Sequence, residues 1–156
     1  MKMHPLGTRA LSILAALAML LTGCGAQQRP VSSVDAAMPV LIEAAGILED
    51  VHAALAAAQK EAIERAVRAE TTTEAKHAAI DRVDAAWRPI WDVYARARDA
   101  YVTLAALARA AALAEKAGQQ PSPGRVAVAT GALVLAVEEL TRTVESMGST
   151  RKRGIE

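Results

Sequence analysis

One apolar seam constrains the fold more than any other feature of the chain. Ile80, Val83, Trp87, Ile90, Tyr94, Ala97, Tyr101, Leu104, Ala108 and Ala111 succeed one another at steps of three and four. A helix turns once in 3.6 residues, so this spacing draws one stripe along one face of one helix. A strand repeats every two residues and cannot use it. The seam predicts a helix from Glu74 to Lys116, about 65 Å long, which needs neighbours to cover it. Pro89 lies inside and removes a backbone donor, which predicts a kink near Ala85 to Trp87. Gly118 is the expected stop.

Two further stretches share the pattern. Val34, Met38, Leu41, Ala45, Leu48, His52 and Leu55 form a seam in a first helix, begun by Ser33 or Asp35 as cap, with Pro39 in or just after its first turn. Its far half is more polar and places Glu61–Arg65 and Glu64–Arg68 one turn apart. Thr71-Thr72-Thr73 interrupts it, and Thr71 with Glu74 matches a capping box, so a reversal is expected there. The competing reading is a bend in one very long helix. After Ser122-Pro123, Val126, Thr130, Leu133, Val137, Leu140, Val144 and Met147 mark a third helix, ended by Gly148.

Composition agrees with helices. The chain has 156 residues and 53% hydrophobic content. Roughly a quarter of it is alanine, the residue that costs least in a helix interior. Phe is absent, and Val and Ile show no two-residue alternation. The expectation is an all-α fold, an elongated three-helix bundle with a long antiparallel helical hairpin. Widened apolar faces at Val40, Ile42 and Ile47, and at Val102, Leu107 and Leu113, place the third helix against the base of that hairpin. The hairpin then projects by roughly 20–30 Å to a tip at Thr71–Thr73. Asp84–Arg88 and Asp92–Arg96 are spaced to pair on the outer face.

The first residues read differently. Lys2 and Arg9 precede an apolar run from Ala10 to Leu21, too short for a membrane-crossing helix, and the run ends in Leu21-Thr22-Gly23-Cys24. Cys24 is the only cysteine, so no internal disulfide exists. The stretch resembles the lipobox of bacterial lipoproteins. That resemblance implies a signal peptide over 1–23 that is removed, fatty acyl chains such as palmitate on Cys24, and a membrane-anchored product. Beyond Cys24 the residues themselves give a tether over 24–33, the bundle over 34–148 and a flexible basic tail over 149–156. An uncleaved membrane anchor is the rival reading. Gly25 stands where an aspartate would resemble an inner-membrane retention signal, which implies the outer membrane, facing the periplasm, in a Gram-negative host. Small helical lipoproteins of this kind also occur on phage and mobile elements.

Charge argues against a nucleic-acid partner. The whole chain carries 18 basic and 17 acidic residues. Without Lys2 and Arg9, 16 basic residues stand against the 17 acidic ones, with no dense basic face to hold phosphates. Arg151-Lys152-Arg153 reads as a solubilising tail, with contact to anionic head groups as the alternative. The run Ala127 to Val137 is apolar but too short to span a membrane, and packing on the second helix is expected of it.

No catalytic constellation is apparent, and no enzyme activity or cofactor is expected. Glu49 with His52, and Glu74 with His77, share the Glu-x-x-His spacing of di-iron bundles. A reversal at Thr71–Thr73 sets His52 opposite Trp91 or Asp92, about 20 Å along the hairpin from His77, so no metal site is expected. His52 reads as a partly buried core histidine. The remaining candidates are Trp87, Trp91, Tyr94 and Tyr101. Three lie on the seam and Trp91 lies one position aside. Core packing accounts for them, and a partner or ligand contact through Trp91 and a neighbouring ring is the functional reading. The function expected is a structural or protein-interaction role at the cell envelope, with self-association open. The alternative is a bundle that holds a lipid or small apolar ligand.

Overall fold

The computed structural model describes residues 32–153. Three helices make up the body: α1 (Ser33–Arg68), α2 (Thr73–Lys116) and α3 (Pro123–Arg153). Each touches both others, and there is no strand among the described residues, so the fold is an all-α three-helix bundle. The expected signal peptide, Cys24 and most of the expected tether lie outside the described residues.

Local chemistry sets the helix ends. Ser32, one residue before the expected cap, accepts the amide of Val34 at 3.2 Å. Its hydroxyl also donates to Glu115 at 2.7 Å, pinning the start of α1 to the end of α2. The reversal occupies residues 69–72, as expected, but its cap is Thr72 rather than Thr71. The Thr72 hydroxyl accepts from Ala75 N at 3.2 Å, three residues on, where the capping-box reading had placed Glu74. Gly118 ends α2 with φ +72°. Its amide bonds Glu115 O and the next amide, Gln119, bonds Ala114 O, the paired closure of a Schellman motif.

Two helix expectations, on Pro39 and on Gly148, need correction. Pro39 lies well inside α1, because the helix already begins at Ser33. Pro39 and Asp35 are both exposed, so water can reach the Asp35 carbonyl that lacks its usual donor. α2 runs through Pro89 as continuous helix, with Pro89 and Ala85 likewise on the exposed side. α3 continues past Gly148 to Arg153, so the expected tail is helical that far. Glycine without a positive φ costs a helix only about 1 kcal/mol, and Gly46 and Gly131 are inside helices too.

The core follows the seams, with one shift. In α2, Ala97, Leu104, Ala108 and Ala111 are buried; in α3, Val126, Thr130, Leu133, Val137 and Leu140 are, all at expected positions. Thr130 satisfies its buried hydroxyl by donating to Val126 O at 2.8 Å. In α1 the leucines Leu41, Leu48 and Leu55 are buried as expected, but their companions are Ala37, Ala44 and Val51. Met38 is 45% exposed and His52 is exposed. Val40 and Ile47 are buried as well, which turns the covered arc of α1 to one side in a bundle where α1 has two neighbours. Ile42, Val102 and Leu113, expected to widen the apolar faces, are instead exposed, and Leu107 is half-buried.

Pairings fix the direction of the helices. Glu70–Arg82 near the tip and Ser32–Glu115 at the base make α1 and α2 antiparallel. Arg96 pairs with Glu139 at 2.8 Å, tying α2 to α3, rather than with Asp92 on its own helix. Asp84 accepts from Gln59 across the hairpin, not from Arg88. Glu61–Arg65 and Glu64–Arg68 form at 3.2 and 3.3 Å as spaced. From 56 to 96 the buried apolar residue is Ala79 alone among those described, so the hairpin tip is held by half-buried contacts.

Candidate functional site

The most structured group of polar and aromatic side chains sits on the α1–α2 hairpin. His52, Trp91 and Tyr94 form a three-ring cluster whose centroids lie 5.5–5.7 Å apart. Trp91 meets both His52 and Tyr94 edge to face, the arrangement in which a positive ring edge approaches a negative ring face. The antiparallel register expected from the reversal had set His52 opposite Trp91 or Asp92, and His52 does lie against Trp91.

Gln59 completes the cluster. The Trp91 indole N–H donates to Gln59 Oε1 at 2.7 Å, and Gln59 Nε2 donates to Asp84 Oδ1 at 2.8 Å. One amide thus satisfies the indole and links two positions of α2. Sequence reasoning missed Gln59. The signal was its place four residues after Leu55, the next step of the α1 seam, where a polar residue must have a partner.

Each sequence-derived candidate has a place. Trp87, Trp91, Tyr94 and Tyr101 are all half-buried against the core. Cys24 lies outside the described residues. His77 is exposed in the first turns of α2, on the tip side of the cluster. Among the described residues, no three of His, Cys, Asp and Glu gather as a metal-holding group.

Two surface depressions adjoin these elements. An open cleft of about 390 Å³ lies beside Trp91, walled by Ala56, Gln59, Lys60, Ile63 and Glu64 of α1. A smaller groove of about 160 Å³ runs between α2 and α3 at the base, with Leu107, Ala111 and Val126 in its wall and Arg125 as its one charged lining residue. Comparison with protein-family models, with curated proteins and with solved structures finds no match for this chain. No described helix is long and apolar enough to cross a membrane.

The cluster's chemistry is that of contact. The Trp91 N–H is taken up internally, and the three rings spend part of their faces on one another. What remains outward is half-covered aromatic surface next to an open apolar cleft. Such a surface offers area and shape for contact.

Proposed function

We propose that the protein is a bacterial envelope lipoprotein, anchored through acyl chains on Cys24, whose helical body has a structural or protein-interaction role close to the membrane. One observation carries the reading: the only cysteine directly follows Leu21-Thr22-Gly23 at the end of the apolar run Ala10–Leu21. The position of the body supports it. α1 is capped at Ser32, eight residues after Cys24, a distance the chain covers with at most about 30 Å. The base of the bundle would therefore stay within about one domain diameter of the lipid surface.

The test is metabolic labelling with a fatty acid in a bacterial host. The parent chain takes up label and matures to a shorter product, and Cys24→Ser does neither. A Cys24→Ser chain that still matures and labels like the parent would overturn the anchoring.

A second reading, a bundle that takes up a lipid or small apolar ligand, draws its support from the open cleft beside Trp91. Adding lipids or apolar dyes should then shift tryptophan emission. Unchanged emission counts against this reading and leaves the first untouched.

A further inference from the structure

We propose that the groove between α2 and α3 at the base of the bundle binds a single-chain carboxylic acid, with its apolar chain along the groove and its carboxylate on Arg125. The site is separate from the cleft beside Trp91, and the inference rests on neither reading of the protein's role. Leu107, Ala110, Ala111 and Ala114 repeat at helical spacing and lay one apolar face of α2 along the groove for about 10 Å. Val126 of α3 faces them, and Pro121 of the connection between the helices lines the same space. The small side chains of three alanines are what leave the room.

Size and charge choose the occupant. The groove holds about 160 Å³, and a cavity of about 150 Å³ takes one benzene. A helix, about 10 Å across, is too wide for it, and so is the pair of chains of a phospholipid. One short apolar chain fits. Arg125 is the single charged residue in the lining, and its guanidinium has no ion pair or side-chain hydrogen bond among the described residues. No acidic residue stands in the first turn of α3 to compete for it. Glu115, next to Ala114 on α2, has its carboxylate on the Ser32 hydroxyl at 2.7 Å. The groove therefore complements a negative head group, and the planar guanidinium fork matches a carboxylate with two parallel hydrogen bonds. Ser122, also in the lining, adds a hydroxyl at the same end of α3.

The probe is octanoate, with 1-octanol as the same chain without the charge. Ligand-observed saturation-transfer NMR follows both on the full chain in phosphatidylcholine vesicles, with empty vesicles as the blank. A ligand of about ten non-hydrogen atoms should half-saturate the parent near roughly 1 mM. Octanol should bind at least fivefold more weakly, and Arg125→Gln should bring octanoate down to the level of octanol. Ala110→Leu, at an exposed position of the groove wall, should fill the space and abolish binding of both with unchanged helix content. Lys116→Gln, which removes a cation near the same end of α2 but outside the lining, should leave octanoate binding as in the parent. No transfer above the vesicle blank at about 10 mM overturns the proposal, as does binding indifferent to Arg125→Gln or to Ala110→Leu. So does octanoate binding that shifts tryptophan emission, because Trp91 stands about 30 Å along α2 from Ala111 and the ligand would then lie in the other cleft.

Discussion

Gln59 holds the indole of Trp91 and the carboxylate of Asp84 with one amide group, so its loss is felt twice. Gln59→Met keeps the bulk and removes both bonds. It should cost about 1 kcal/mol, because the half-buried indole N–H loses its protein partner but is within reach of water. Urea denaturation followed by tryptophan emission measures this, and an unchanged midpoint contradicts the bridge. The core gives a sharper contrast. Leu133 is fully buried and Ile42 is 68% exposed. Leu133→Ala should cost about 3 kcal/mol, while Ile42→Ala stays within about 0.5 kcal/mol. Both positions looked apolar and periodic in sequence, and only one is covered. Spacing named Leu41, Leu48 and Leu55 correctly because a leucine every seventh residue fixes one line along α1. It could not decide between Met38, Ala45, His52 and Ala37, Ala44, Val51 as the second line, since both sets lie three or four residues from those leucines. Val40 and Ile47 are buried too, which selects the second set, and the packing that buries them is not written in α1 alone.

At the level of elements, the chemistry of helix ends was legible to within a residue and the meaning of single glycines was not. Three consecutive threonines announced the reversal, but any of them could cap. Thr72 is the one that accepts an amide, from Ala75. Thr72→Ala should therefore cost about 1 kcal/mol and Thr71→Ala less than half of that, read from thermal melts of the two variants. Equal losses would mean the cap is shared. Gly118 and Gly148 had the same expected role, yet Gly118 alone has the left-handed backbone and double amide closure that stop a helix. Gly118→Ala keeps the closure only by forcing a Cβ into that conformation. A loss of about 1 kcal/mol is expected. The ion pairs were legible only within a helix. Glu61–Arg65 and Glu64–Arg68 form as spaced, whereas Asp84 and Arg96 turn to Gln59 and Glu139 on other helices. A neighbour's register is invisible to spacing along one helix.

For the whole molecule, cohesion is uneven along the bundle's length. Leu55, Leu104, Leu133, Leu140 and Val51 are the largest fully buried side chains among the described residues, and all belong to one core cluster drawn from the three helices. Toward the reversal, contacts between α1 and α2 rest on Ala79, on half-buried rings and on exposed ion pairs such as Glu70–Arg82, each worth less than about 1 kcal/mol. Alanine buries too little surface to hold two long helices together unaided. The tip should therefore open without the base. Native-state hydrogen exchange should find amides near 62–68 and 74–80 exchanging through local opening, several kcal/mol below global unfolding. Amides around Leu48, Leu104 and Leu133 should exchange only when the whole bundle unfolds. Adding urea should raise the exchange rate of the base steeply and that of the tip little, because a local opening exposes little new surface. If tip and base were equally protected and equally sensitive to urea, the hairpin would be one cooperative unit with the base. The half-buried aromatic cluster would then have to contribute far more to cohesion than its covered area indicates.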